Sequence, residues 1–221
     1  YLLHADVHPA ERARVFLQLQ SANESGRIGG PRAEDEDDVD INQAFVDATL
    51  YAEGADYFTL RAGRQELEFG ASRLLSARDG LNTRLSFDGL RMFGRHGRWN
   101  YNVTLTQIVN TVPGAFDNDS NRNNWYAGAS LWTPIEVIPG ANVNILSPSR
   151  RQENRQFDIG RGTDERYTHA LRLWGATGAW DYNWEGGIQH GEFEGRRVRA
   201  WYFASDTGYS IPGRSHAPRL G

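Results

Sequence analysis

Apolar and polar residues alternate in short segments along the chain. Residues 180–189 show the pattern most clearly, with one parity apolar and the other polar: Trp180, Tyr182, Trp184 and Ile188 against Asp181, Asn183, Glu185 and Gln189. Successive side chains of a β-strand point to opposite faces, so this segment predicts a strand with one aromatic face and one polar face. No helical period of useful length is present, and the pattern predicts an all-β protein.

About eleven segments have this strand-like alternation. They lie near residues 1–8, 12–21, 41–52, 57–67, 86–94, 99–110, 124–133, 141–147, 166–175, 180–190 and 197–205. The strands are about ten residues long, which matches a tilted crossing of a bilayer.

The connections between these segments alternate between short turns and long polar stretches. The turns at 53–56, 95–98 and 176–179 are short, whereas the stretches 21–40, 68–85, 113–121 and 147–165 are long. Bacterial barrels have tight turns on one side of the membrane and long loops on the other. A soluble β-sandwich follows no such rule. The sequence therefore predicts a transmembrane antiparallel up-and-down β-barrel in the bacterial outer membrane, with the soluble sandwich as the alternative.

The composition is compatible with a barrel. The mean hydropathy of -0.63 is low, but only every second residue of a barrel strand needs to be apolar. Seven Trp, nine Tyr and ten Phe fit the aromatic girdles of such a barrel. The pattern begins at Tyr1 and residues 218–221 resemble the start of another strand. We expect one barrel domain over residues 1–221, incomplete at both ends.

All 24 basic residues are Arg. A GC-rich genome explains this bias, and so does a requirement for planar guanidinium groups that bind carboxylates in bidentate fashion. Composition does not separate the two explanations.

The flanking residues predict which way several arginines point. Arg172 lies between Leu171 and Leu173, and an Arg facing lipid near the midplane costs roughly 2–4 kcal/mol. Arg172 should therefore point into the lumen. The same argument directs four further arginines inward: Arg14, Arg61, Arg91 and Arg199. Arg64 shares parity with apolar neighbours, so either Gly63 marks a bulge or Arg64 lies at the rim.

Inward arginines have two interpretations. They form a ladder for an anionic solute, or they pair with lumen carboxylates, for which the candidates are Asp47, Asp88, Asp181 and Glu185. The sequence leaves both open.

Residues 60–91 resemble the central block of the alginate export porin family. The matching segments are Gly63 to Leu67, Arg73-Leu74, Arg78 to Asn82 and Phe87 to Arg91, with weaker matches at 43–47 and 205–209. The resemblance implies an 18-stranded outer-membrane barrel whose Arg-lined, anion-selective lumen passes the polyuronate alginate. It also implies that Arg78 and Arg84, in the long connection 68–85, take part in a constriction. The candidate solute-pathway residues are Arg14, Arg61, Arg64, Arg78, Arg84, Arg91, Arg172, Arg199 and Asp88.

The predicted partners are an anionic polysaccharide or organic anion, outer-membrane lipid and lipopolysaccharide, and periplasmic secretion proteins, without nucleic acid. A barrel enzyme is a weaker hypothesis that would use strand residues: His4, His169, His190 and Ser130. The chain is not predicted to be an enzyme. Asp117, Asp119 and Asn121 have the spacing of a calcium loop, but Arg122 occupies the place of the required Gly. The acidic run at 34–40 is expected to be solvated or to bind divalent cations at the lipopolysaccharide surface. No specific metal site and no cofactor is predicted.

Overall fold

Twelve β-strands form one antiparallel sheet in the computed structural model, which describes residues 1–32, 34–213 and 218–221. Each strand pairs with its neighbours in the sequence. The strands are β1 (Leu2–Ala10), β2 (Ala13–Ala22), β3 (Asp37–Glu53), β4 (Asp56–Gln65), β5 (Phe87–His96), β6 (Trp99–Val109), β7 (Ser120–Ile135), β8 (Ala141–Phe157), β9 (Gly160–Thr177), β10 (Trp180–Phe193), β11 (Arg196–Ser210) and β12 (Arg219–Leu220). The predicted all-β, up-and-down antiparallel fold is confirmed. Within the described residues, no helix is long and apolar enough to cross a membrane.

The sheet ends at β1 and β12, since no hydrogen-bonded pairing joins these two strands in the described part of the chain. Arg219 and Leu220 of β12 pair with Ser210 and Tyr209. A sandwich needs two sheets packed face to face, so this single continuous sheet does not match that alternative. Closure into a barrel and the total of eighteen strands remain predictions.

The two ends of the sheet differ in their connections. One end has two-residue turns at 11–12, 54–55, 97–98 and 178–179, whereas the other has long connections at 23–36, 66–86 and 110–119. The predicted alternation of short and long connections is therefore present in the first half of the chain. We refer to these as the short-turn end and the long-loop end.

The prediction of a loop over the charged stretch 147–165 is wrong. Strands β8 and β9 continue through it, and only residues 158–159 connect them. Some of its charged side chains pair with one another, both between β8 and β9 and along β9. Asp164 accepts hydrogen bonds from Arg150 at 2.7 Å and from Arg166 at 2.6 Å. Polarity alone therefore did not distinguish a loop from two paired polar strands.

One face of the sheet carries a belt of exposed apolar side chains. We call this the outer face, and the apolar belt includes one residue from each of the first eleven strands: Leu3, Val15, Val46, Leu60, Leu90, Leu105, Leu131, Ile145, Leu171, Ile188 and Trp201. Neighbouring members pair directly, as Ile145 does with Leu131 and Leu171. Aromatic residues lie on the same face beyond the belt, with Trp99 and Trp180 at the short-turn end.

The opposite face, which we call the inner face, is covered in part by the 66–86 connection. Leu67, Phe69 and Leu75 of this connection pack with Leu146 and Ala170 of the sheet in one buried cluster. Gly128 of β7 provides the space for this packing, because a Cβ there would lie 2.8 Å from the Phe69 ring. The apolar core of the molecule is therefore the contact between this connection and the sheet.

A buried carboxylate holds the same connection by polar contacts. Glu185 of β10 is 1% exposed and accepts hydrogen bonds from the backbone N–H of Ala71 at 3.2 Å and from the Tyr202 hydroxyl at 3.0 Å. The guanidinium of Arg73 lies 3.6 Å from the same carboxylate. The 66–86 connection is thus fixed on the inner face by both packing and charge.

Phe69→Ala should release the connection. Removal of a buried Phe side chain costs about 3–5 kcal/mol, and here the loss would lower the free energy that holds the 66–86 connection on the sheet. Because proteolysis through an opened state follows the population of that state, trypsin cleavage after Arg78 should accelerate at least tenfold. The matched control is Phe116→Ala, since Phe116 is 62% exposed in another connection. Equal cleavage rates in the two variants would contradict the docking described here.

Candidate functional site

Four of the arginines predicted to point inward lie on the inner face, opposite to the apolar belt. The strand register places Arg14, Asp47, Arg61 and Arg91 in one row across β2 to β5. Through Thr104 of β6, this row reaches Gly128, on which the 66–86 connection packs. Arg172 pairs in register with Asn144 and Glu185, which lie on the same face.

Arg14 and Arg61 share one buried carboxylate. Arg61 makes a bidentate contact with Asp47 at 2.7 and 2.8 Å, and its guanidinium lies 3.5 Å from the centre of the Phe45 ring. Arg14 makes a bidentate contact with Asp6 at 2.9 Å and lies 3.6 Å from Asp47. These two guanidinium groups match the interpretation in which inward arginines neutralise neighbouring acids.

Arg64 lies at the rim of the long-loop end. The register of β3, β4 and β5 is regular at Gly63, so there is no bulge at this position. Arg64 donates two hydrogen bonds to Asp88, both at 2.9 Å, and another to the carbonyl of Asn118 in the 110–119 connection. Of the two explanations for Arg64 that the sequence left open, the rim position is correct.

Arg91 and Arg172 differ from these arginines because no carboxylate among the described residues lies within 4.0 Å of either guanidinium. Arg91 donates to the amide oxygen of Asn102 at 2.8 Å. Arg172 donates to the amide oxygen of Asn183 and to the backbone carbonyl of Gly70, both at 2.8 Å. Both cations therefore have neutral hydrogen-bond acceptors, and their charge is not cancelled by direct contact with an acid.

A groove of about 450 Å³ on the inner face contains both of these arginines. Its lining comes from β4 to β9 and from Glu68 and Gly70 of the 66–86 connection. Most other lining residues carry aromatic, amide or hydroxyl side chains on the inner face: Tyr57, Phe93, Trp132 and Trp174; Asn100, Asn102 and Asn144; and Ser130. Gly94 and Tyr101 also border the groove, but they pair with each other at outer-face positions, next to Leu131. Arg91 lies 4.9 Å from the Phe93 ring centre, and Arg172 lies 4.5 Å from that of Trp174.

This lining combines three kinds of recognition. Guanidinium groups bind carboxylates in bidentate fashion, amides donate to and accept from hydroxyls, and aromatic rings provide flat apolar contact area. A ligand that fits this chemistry carries acidic groups and many hydroxyls on a ring. We take the groove as the candidate functional site.

A family model described as alginate export matches residues 1–221, the whole chain. The chain belongs to the alginate export family. A search of curated proteins finds no match. Family membership supports a role as a saccharide export channel and suggests the outer membrane as its location.

Residues 60–91, which carry the family resemblance, include arginines with two different environments. Arg91 lines the groove, whereas Arg61, Arg64 and Arg84 are held by carboxylates. Arg84 donates hydrogen bonds to Glu66 at 2.5 and 2.8 Å and also contacts Asp79, and the bonds to Glu66 raise the pKa of the Arg84 guanidinium above its usual range. Asp88 is engaged by Arg64 and by the Ser120 hydroxyl.

Arg78 lies apart from the groove in this alginate export family member. It is exposed at the tip of the 66–86 connection and lines a separate cavity of about 340 Å³ together with Arg84 and Glu34. The structure therefore does not bring Arg78 together with Arg91 and Arg172.

The inward prediction for Arg199 is wrong. Arg199 pairs in register with His190 on the outer face, next to Trp201 along β11. The prediction gave weight to the small flanking residues Val198 and Ala200. The larger apolar side chains of Trp201 and Phe203, which share parity with Arg199, occupy the outer face instead. Arg199 is exposed at the long-loop side of the apolar belt, where a long Arg side chain reaches polar surroundings.

The residues considered for catalysis are not assembled together. Ser130 lies on the inner face and bonds to Asn144, whereas His169 and His190 lie on the outer face at 3.3 Å from each other. The hydroxyl of Ser147, which is not among these candidates, lies 3.1 Å from Nδ1 of His169. The expectation that the chain is not an enzyme remains a prediction.

The sequence pattern did not identify the amide and aromatic members of the groove. Asn100 and Asn102 alternate with apolar residues in β6, which assigns them to the polar face, but nothing local relates them to Asn144 or Trp174. The signal in the sequence that could have identified these residues is that polar-face positions of β6 carry amides rather than carboxylates.

Gly63→Ala should destabilise the pairing of β4, which carries Arg61 and Arg64, with β3. Gly63 has a φ of 126°, and a Cβ there would lie 2.2 Å from the Ala44 carbonyl oxygen. We expect the free energy of unfolding to fall by about 2 kcal/mol or more, measured by urea titration in phospholipid vesicles. Gly80→Ala is the control, because a Cβ at Gly80 would meet no atom within 4 Å. A loss no larger than that of the control would contradict this account of Gly63.

Proposed function

We propose that this protein forms the wall of an outer-membrane channel that passes an anionic saccharide, alginate or a related polyuronate, along its inner face. The observation that carries the proposal is the groove with two guanidinium groups, Arg91 and Arg172, that no described carboxylate neutralises. Uronate carboxylates are bidentate acceptors that suit these groups. Sugar hydroxyls suit the surrounding amides of Asn100, Asn102 and Asn144.

The distribution of charge favours passage over tight binding. Conduction requires contacts that are favourable enough for entry and weak enough for release. Glu68 and the nearby Glu185 place negative charge beside Arg172 without binding it directly, which limits how strongly a uronate is held. Arg14 and Arg61 extend the polar surface of the inner face, but their charges are neutralised by ion pairs.

The outer face supports the membrane location in this proposal. A continuous apolar belt over eleven strands leaves side chains such as Leu105 and Leu171 more than half exposed. Large exposed apolar surfaces on one face of a protein mark contact with a partner or a membrane. In a membrane every backbone group needs a partner, so the proposal requires that the edges of β1 and β12 be paired in the assembled channel.

A general porin for small anions is the second candidate function. The same two arginines would attract chloride or organic acids, and the amide and aromatic lining would then have no role in selection. Comparison of charged and neutral oligosaccharides separates the two candidates.

The double variant Arg91→Gln/Arg172→Gln tests the role of the groove. In planar bilayers, reversal potentials in a KCl gradient should show a several-fold lower preference for chloride over potassium. The concentration of uronate oligomer that half-blocks the conductance should rise at least tenfold, because each charge-assisted hydrogen bond contributes about 1.5–3 kcal/mol.

Arg98→Gln is the matched control, since Arg98 is exposed near the short-turn end and pairs with the exposed Glu136 at 2.6 Å. If the double variant behaves like this control, the groove is not the solute pathway. If neutral oligosaccharides of the same length block the wild-type channel equally well, the general porin is the better assignment.

Leu105→Arg tests the membrane contact of the apolar belt. An Arg at mid-membrane on the lipid face lowers the free energy of unfolding by about 2–4 kcal/mol, which urea titration of the protein in phospholipid vesicles measures. Leu81→Arg introduces the same charge at an exposed site in the 66–86 connection and should cost much less. Equal losses at the two sites would show that the belt does not face lipid.

A further inference from the structure

Three carboxylates meet where the 110–119 connection contacts the start of β3. They belong to Asp37, Asp40 and Asp117, and one oxygen from each lies within 4.8 Å of the others. Asp37 is 0% exposed and Asp40 is 2% exposed. Asp117 is exposed, which leaves this acidic cluster accessible from solvent.

One oxygen in the acidic cluster has no protein partner. Within the described residues, Oδ1 of Asp37 is buried and accepts no hydrogen bond, whereas Oδ2 accepts one from the side-chain amide of Asn118 at 2.9 Å. A buried charged oxygen without a hydrogen-bond partner is unfavourable, and a bound water or ion is one way in which proteins satisfy such an atom.

The backbone around the cluster is already arranged. Oδ2 of Asp40 accepts hydrogen bonds from the N–H groups of Asp117 and Asn118, both at 2.9 Å. These bonds hold Asp117 beside the two buried carboxylates. The arrangement therefore does not require the connection to move before a ligand binds.

Positive charge near the cluster is insufficient to neutralise it. The Arg64 guanidinium lies 3.8 Å from Asp40, but its bidentate contact is with Asp88. In the described part of the chain, no other Arg or His lies within 4.0 Å of these three carboxylates. The cluster therefore keeps a negative charge that a cation would compensate.

We propose that Asp37, Asp40 and Asp117 bind a calcium ion. Ca²⁺ is coordinated by oxygen ligands at 2.3–2.6 Å in a flexible geometry, so oxygens on opposite sides of the ion are separated by up to about 5 Å. The spacing in the cluster fits within that limit. Mg²⁺ requires stricter octahedral geometry and retains more of its waters, so we expect it to bind a cluster of protein carboxylates more weakly than Ca²⁺ does.

The ion would join the 110–119 connection to β3 at the long-loop end. The spacing of Asp117, Asp119 and Asn121 gave only a weak signal in the sequence because the strongest ligands, Asp37 and Asp40, lie in a distant segment. The inference does not depend on which solute passes along the inner face.

Calcium titration by calorimetry tests the site directly. The full-length protein, refolded without lipopolysaccharide and freed of metal with a chelator, should bind one Ca²⁺ with a dissociation constant in the range of about 10⁻⁴–10⁻³ M typical of extracellular sites. Asp37→Asn should weaken this binding at least tenfold, and Asp117→Asn should do the same without altering a buried residue. Added Ca²⁺ should also slow proteolysis of the 110–119 connection in the wild type but not in Asp37→Asn or Asp117→Asn.

Asp38→Asn is the matched control, since Asp38 adjoins Asp37 in sequence and is exposed. It should bind Ca²⁺ as the wild type does. Absence of calcium binding in the wild type, or an equal loss in Asp37→Asn and Asp38→Asn, would overturn the site. Equal affinity for Mg²⁺ and Ca²⁺ would overturn the assignment to calcium.

Discussion

The packing of the Phe69 ring over Gly128 determines where the functional surface of this protein lies. It places residues 66–86 on the inner face, and Glu185 fixes the same connection a few residues further on. The carbonyl of Gly70 is thereby held where Arg172 can donate to it. Without this contact the groove would lose the part of its wall that comes from the connection. The inner face would then be an open polar surface rather than a shaped site.

Charge on the inner face is divided between paired and free guanidinium groups. Asp47 serves two arginines, Arg14 and Arg61, and Glu66 holds Arg84. Such pairs orient long side chains and keep polar surface compatible with partial burial. Arg91 and Arg172 are instead oriented by amides and by aromatic rings, which fix their geometry and leave their charge available. The same residue type therefore has two roles on one face, and the neighbours set the role.

The long-loop end is connected across the sheet rather than loop by loop. The N–H of Thr83 in the 66–86 connection donates to the carbonyl of Glu34 in the 23–36 connection, and the 110–119 connection is bound to Asp40 of β3. Arg64 links β4 to the 110–119 connection through Asn118. A change in one connection is thus transmitted to the others through hydrogen bonds. The acidic cluster lies within this network, where a bound ion would have the most effect on the shape of the opening.

Alternation of apolar and polar residues determined the strands and the orientation of Arg14, Arg61, Arg91 and Arg172, and the lengths of the connections indicated the antiparallel order. Parity is a local property, because the solvent or lipid on each face acts on each side chain separately. Local evidence misled at Arg199, where aromatic residues on the outer face outweighed two small apolar neighbours. It also misled at 147–165, where charged strands satisfy each other across the hairpin.

Only the tertiary structure decided which arginines are neutralised and which line the groove. The partner of Arg61 follows from the register of β3 against β4, and the partner of Arg172 follows from the docking of a distant connection. The groove combines six strands and that connection, so its members extend from Tyr57 to Trp174 in the sequence. The acidic cluster likewise joins two segments far apart in the chain. Such contacts depend on packing across the whole sheet, and the sequence pattern of one strand contains no record of them.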